Sequence, residues 1–182
     1  MQSGKMDGQM ISKAYILPTG DEMREGVVLD TDSPMIMGEL LRMNACCTIT
    51  RMPPVIDEQG EIIGQIRALS DSGADLIILI GGSGGGHRHS PTLGRDFTHS
   101  GMEEILKDCF STSLYGKNGH LWCKLVCGFL NKTLLINLPG PFVEAQAAIG
   151  AFRLTVMEHG LSPKYINERM AQAVKEQYPT EK

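Results

Sequence analysis

No apolar run in this 182-residue chain approaches the roughly 18 residues of a membrane-spanning helix, and the opening MQSGKMDGQM lacks the apolar stretch of a signal peptide. A soluble, cytoplasmic protein with no membrane partner is therefore expected. Basic charge is also in short supply. The 17 Lys and Arg against 21 Asp and Glu leave a net charge of -4, with no basic cluster to offset it. This argues against a surface that binds nucleic acid by neutralising phosphates. A disulfide framework is missing too, because five cysteines are an odd number without repeating spacing and fit a reducing compartment. His120, Cys123 and Cys127 fall in strand-like sequence without a second ligand pair, so they read as packing residues rather than a zinc site. There is no internal repeat. The length suits a single domain, taken as residues 13–178, behind a polar segment at 1–12 that is expected to be poorly ordered.

The most informative stretch is DLIILIGGSGGGHRHSPTLGRDFTHSGMEEIL, from Asp75 to Leu106. Five aliphatic residues, Leu76 to Ile80, predict a strand buried on both faces of a largely parallel sheet. A glycine-rich loop follows, and then Met102, Ile105, Leu106 and Cys109 recur at helical spacing, with Ser100 and Glu103 in the form of a capping box. Beyond the carboxyl end of such a strand, glycines let backbone N–H groups approach an anion closely. The loop contains neither G-x-G-x-x-G nor G-x-x-x-x-G-K-[ST], so a dinucleotide fingerprint and a Walker A loop are excluded. A generic phosphate cradle and a merely mobile surface loop both remain open.

Earlier in the chain, Ala14 to Leu17 predicts a first strand, a helix runs from Pro34 to about Met43, and a second strand lies within 45–52. Asp21, Glu22, Asp30 and Asp32 follow the first strand and could hold a metal or a ligand amino group, while Ser33 and Pro34 have the chemistry of a helix start. Ile62, Ile63, Ile66 and Leu69 form the apolar stripe of the next helix, with Asp57 at its start. In a parallel sheet, loops after successive strands emerge on one edge, so Asp57 and the glycine loop can share a crevice. Residues 111–119 read as irregular. Strands are expected over 121–129 and 133–138, joined by a hairpin turn at Leu130-Asn131-Lys132. Helices follow from about Pro141 to Glu158 and from Ser162 to about Gln177.

Four segments, in this order, carry more specific information: TGDEMREG with LDTDSP, PPVIDEQGEII, ADLIILIGGSGGG with GRDFT, and NKTLLINLPGP. Over residues 14 to about 158 the chain resembles the molybdopterin-binding domain family of molybdenum-cofactor biosynthesis. The resemblance implies an α/β fold, a three-layer α/β/α sandwich with a mostly parallel sheet and helices on both faces. It implies molybdopterin, a pterin phosphate, as the small-molecule partner. It also implies activity as a transferase that adenylylates molybdopterin from ATP with magnesium, or a role in molybdate insertion, and a homo-oligomer, trimer or dimer. Carried over by segment, the catalytic carboxylates are Asp57 and Asp96. The substrate-binding set is Gly81, Gly82, Ser83, Gly84, Arg95, Thr98, Pro139 and Gly140, with Mg²⁺ expected at Asp57 or Asp96. Asp21, Ser33, His87 and His89 are further candidates. The chain departs from the family in the residues between the glycine loop and GRDFT, which bring in His87, Arg88 and His89, and in Pro141 directly after the LPG turn. Two other functions remain open: a non-catalytic pterin- or nucleotide-binding module, and a nucleotide pyrophosphatase of the competence-damage type, which the GDEMREG and LDTDSP segments also resemble.

Overall fold

A computed structural model describes residues 10–84, 96–117 and 119–178. Six strands form one sheet: β1 (Lys13–Pro18), β2 (Thr48–Arg51), β3 (Leu76–Ile80), β4 (Cys109–Tyr115), β5 (Leu121–Leu130) and β6 (Thr133–Leu138). The order is β2-β1-β3-β6-β5-β4, with β2, β1, β3 and β6 parallel and the β5 and β4 pairings antiparallel. The six helices are α1 (Asp21–Arg24), α2 (Asp32–Met43), α3 (Gln59–Asp71), α4 (Thr98–Ile105), α5 (Phe142–His159) and α6 (Pro163–Lys175).

All five side chains of β3 are buried, and they alternate between two cores. Leu76, Ile78 and Ile80 join Ile36 and Leu40 of α2, Ile149 and Phe152 of α5, and Ile166 and Met170 of α6. Ile77 and Leu79 join Ile62, Ile66 and Leu69 of α3 with Met102 and Ile105 of α4. Helices therefore cover both faces, which is why the central strand reads as an unbroken apolar run. The connection β1-α2-β2 runs over one face and β2-α3-β3 over the other. The chain thus reverses its winding between β1 and β3, and a crevice opens there beyond their carboxyl ends.

The hairpin between β5 and β6 turns at Asn131, whose φ of 56° suits a side chain that tolerates the left-handed region. β6 pairs with β5 only from Thr133 to Ile136. Past that point the strands part, and the fully buried Asn137 bridges them: its Oδ1 accepts from Val126 N at 2.6 Å and its Nδ2 donates to Lys124 O at 2.8 Å. Into the wedge comes the glycine loop, where Ser83 O accepts from Lys124 N at 2.6 Å.

Three local expectations change. Residues 111–115, expected to be irregular, lie in edge strand β4, a partly exposed polar strand held by its pairing with β5. Ser100 does not cap α4 but sits inside it, donating to Phe97 O, while Glu103 pairs with Lys124. Ser33 is not the N-cap of α2 either. It is the second residue of the helix, and its N–H and hydroxyl both donate to the Asp30 carboxylate, at 2.9 and 2.6 Å, so Asp30 does the capping from outside the helix. The segment expected to be poorly ordered lies outside the described residues from 1 to 9.

Candidate active site

The crevice is a cavity of about 410 Å³. Each parallel strand contributes the residues just past its carboxyl end: Thr19 and Gly20 after β1, Asp57 after β2, Gly81 and Gly82 after β3, Gly140 and Pro141 after β6. Asp96, ahead of α4, also lines it. A second recess of about 220 Å³ shares Gly81, Gly82, Asp96, Gly140 and Pro141 and continues past Ser83 and Gly84 to His120 and Trp122.

Close packing explains the glycines at Gly81 and Gly82. Gly81 has φ 92°, and a Cβ there would lie 2.8 Å from Thr19 O; Gly82 has φ 56°, and a Cβ there would collide with Thr98 Oγ1. Both need glycine twice over, for backbone conformation and for space. The loop is pinned at its start by Gly81 N donating to Leu138 O at 3.1 Å. Beneath it, Thr19 Oγ1 and Thr98 Oγ1 share a hydrogen bond of 2.8 Å.

Asp57 and Asp96 open on the same cavity. Asp57 is positioned by the chain that precedes it: Gly20 N donates to Val55 O at 2.9 Å, and Val55 N donates to Pro18 O at 3.0 Å. The Asp96 carboxylate lies against Gly84, where a Cβ would approach its Oδ2 to 2.9 Å. α5, 18 residues long, begins at the rim with Pro141 as N-cap, and its N-terminal dipole faces the cavity. α2 begins there too, at Asp32.

Several expected residues take other places. Thr98 is fully buried, its hydroxyl engaged by Thr19, so it supports the loop instead of reaching a phosphate. Pro139 is buried behind the turn, and Gly140 and Pro141 form the wall. Ser83 lines the second recess only. Asp21 accepts a hydrogen bond from Asp57 N at 3.4 Å and is not in the wall; its neighbour Glu22 is. Ser33 is held by Asp30. Arg95, His87 and His89 lie outside the described residues.

The electrostatics separate two neighbouring acids. Burial works to raise the Asp30 carboxyl, but hydrogen bonds from Ser33 and the Arg51 guanidinium, at 3.0 Å, outweigh it and hold the group below the usual carboxylate range. Asp32 has only a side-chain hydrogen bond from Thr31 to lower it, which does not offset the opposing effects. Burial first, then the Asp30 charge, push it up to about 6. In all, Glu22, Asp30, Asp32, Asp57 and Asp96 face a cavity with no Lys, Arg or His among its described lining residues. No three His, Cys, Asp or Glu side chains among the described residues converge as a ready metal cage. A hard cation here would take one or two of these carboxylates and complete its shell from phosphate oxygens and water, as Mg²⁺ commonly does. Cys123 and Cys127 are buried in β5, and burial pushes the Cys123 thiol up to about 12, so both are packing thiols.

The family model of the probable molybdopterin binding domain matches residues 15–159. The chain belongs to that family. The fold is shared with several solved structures. A MogA structure shares 24% identity at a TM-score of 0.60, covering 82% of this chain and 97% of that one. The molybdopterin biosynthesis enzyme MoaB of Thermus thermophilus shares 24% at 0.61, covering 87% and 98%. CinA of Thermoplasma acidophilum shares 18% at 0.59, covering 80% and 98%. By sequence, a CinA-like protein of Mycolicibacterium gilvum is 35% identical over 75 residues, 41% of this chain but only 17% of that relative's length. Among the described residues, no helix is long and apolar enough to cross a membrane.

Proposed function

We propose that this family member binds the pterin phosphate molybdopterin in the crevice between β1 and β3 and activates it by adenylyl transfer from ATP. The supporting observation is the convergence of Asp57 and Asp96, from two separate loops, on one cavity floored by Gly81 and Gly82 and faced by the α5 N-terminus. In this reaction a molybdopterin phosphate oxygen attacks the α-phosphorus of ATP, and pyrophosphate leaves with the bonding electron pair. Such chemistry depends on positioning and charge stabilisation. Asp57 and Asp96 would hold Mg²⁺, which would neutralise charge developing on the phosphates. Gly81, Gly82 and the α5 N-terminus would fix the phosphate end, and Thr19 and Thr98 would keep the glycine turn in shape. Ser83, Gly84 and the second recess would take the remainder of the substrate pair. Assistance to molybdate insertion uses the same cradle and is the neighbouring assignment. As in the sequence-based expectation, we take the protein to be a cytoplasmic homo-oligomer, trimer or dimer; light scattering tests the oligomeric state.

The deciding experiment is ATP-dependent adenylylation of purified molybdopterin. Wild type turns over, and Asp96→Asn lowers the rate by about two orders of magnitude or more while its melting temperature and far-ultraviolet circular dichroism stay the same. Wild-type protein that neither binds nor adenylylates molybdopterin overturns the proposal. The CinA resemblances favour a second reading, hydrolysis of a nucleotide pyrophosphate bond in the same cavity. Release of AMP from ADP-ribose in the absence of pterin identifies it.

A further inference from the structure

The cavity has two chemically different ends. The residues it shares with the second recess, Gly81, Gly82, Asp96, Gly140 and Pro141, mark one end, rich in backbone and suited to phosphate. The part of the wall not shared with that recess includes the apolar Met23, Val28 and Leu29 together with Thr31 and Asp32. Val28 and Leu29 are unusual apolar residues, 50% and 83% exposed at the cavity mouth, and offer a flat ring two surfaces to lie against.

Asp32 differs from Asp30, its neighbour in the wall. Asp30, two residues earlier, has its oxygens committed to Ser33 and Arg51. Asp32 is 6% exposed, and its Oδ1 is closed to solvent without a hydrogen-bond partner. A buried acceptor left without a donor is costly and uncommon in a folded protein, and it marks a place where a donor is expected to arrive. The last torsion of an aspartate side chain is soft and nearly two-fold, so a small rotation presents either oxygen to the cavity.

We propose that Asp32 is a specificity residue, whose carboxylate receives the paired N–H edge of a 2-amino-4-oxo-pyrimidine ring, as found in pterins and guanine. That edge carries a ring N–H beside an exocyclic NH₂, two parallel donors that match a carboxylate in the manner of an arginine fork. Adenine presents an acceptor nitrogen beside its amino group, which a carboxylate repels. The assignment rests on the cavity being the ligand site proposed above, and it adds which ring enters and which way round: donor edge at Asp32, phosphate at Gly81 and Gly82. A carboxyl pushed up to about 6 by burial agrees with a group kept at the fold's expense for a ligand that stabilises its charge.

The test is calorimetric titration of the full chain at pH 8, with Mg²⁺ present, with 6-hydroxymethylpterin, GMP and AMP, on wild type and Asp32→Asn. Wild type is expected to bind GMP and the pterin at least about tenfold more tightly than AMP. Asp32→Asn is expected to lose that preference while its melting temperature holds or rises, a combination that a merely structural role would not produce. Equal affinity of wild type for GMP and AMP, binding of none of the three, or an unchanged preference in Asp32→Asn each overturns the assignment. Molybdopterin turnover with an unchanged preference in Asp32→Asn removes this inference and leaves the proposed function standing. A strong GMP preference abolished in Asp32→Asn, with no molybdopterin binding, does the reverse.

Discussion

Asp32 shows how much a single side chain contributes beyond its place in a motif. Its carboxyl ionises near 6 in the folded chain against an ordinary value of 3.8. A raised carboxylate pKa means that the fold disfavours the charged form. The penalty is absent below about pH 4, where both states are protonated, grows as the unfolded chain ionises, and is complete above about pH 6. Asp32→Asn should therefore stabilise the protein at pH 7 to 8, by at most about 3 kcal/mol, and lose that advantage as the pH falls towards 4. Thermal melts across that range check it; an advantage that grows on acidification contradicts it. Gly82 supplies the opposite case. Gly82→Ala must place a Cβ at φ 56° and against Thr98 Oγ1, so it should cost about 1–3 kcal/mol and impair ligand binding. Adding Thr98→Ala should recover the steric part of the loss only, because the backbone strain remains; full recovery of the melting temperature contradicts the double origin of the effect.

At the scale of elements, the glycine turn depends on strands that do not contain it. The parting of β5 from β6 creates the wedge that receives Ser83, and Asn137 satisfies the backbone groups left unpaired there. Asn137→Leu has nearly the right size but leaves Val126 N–H and Lys124 C=O buried without partners. A loss of about 2–4 kcal/mol is expected in a urea melt. Faster amide exchange at Val126 than at Leu134, on the still-paired strand, localises the damage. The parallel strands and their helices were legible because each carries its own period or apolar run, as in Leu76–Ile80 and the Ile62, Ile66, Leu69 stripe. β4 was not. Its CFSTSLY is polar and half exposed, and only pairing with β5 makes it a strand. Likewise, the caps of α2 and α4 could not be assigned from residue type, because Asp30 reaches in from outside its helix and Ser100 bonds back to Phe97.

For the whole molecule, charge is the governing quantity. A chain of net charge -4 lines the cavity in which a phosphate is proposed to bind with five acidic residues, of which Asp30 is paired with Arg51. Two helix N-termini contribute only partial positive charge against them. Phosphate ligands should therefore bind with a divalent cation or hardly at all. ATP with Mg²⁺ at about one hundred times its dissociation constant should stabilise the fold by about 2.7 kcal/mol, seen as a raised melting temperature. ATP with EDTA should leave that temperature unchanged, and an equal rise in both conditions contradicts the charge argument.

The amino-acid sequence by itself determined the layered α/β class, the buried central strand and the family, because these rest on local periodicity and on ordered motifs. It also singled out Asp57, Asp96 and the glycine turn as candidates. Only the tertiary structure decided which polar groups face the cavity and which are used up in holding it. Thr98, Pro139, Ser33 and Asp21 carry suitable chemistry but are engaged or packed behind the wall, whereas Asp32 and Glu22 lie in it. The physical reason is that hydrogen-bond partnership and burial are pairwise, long-range properties. Thr19 and Thr98 are 79 positions apart, and nothing in either local sequence announces that their hydroxyls meet.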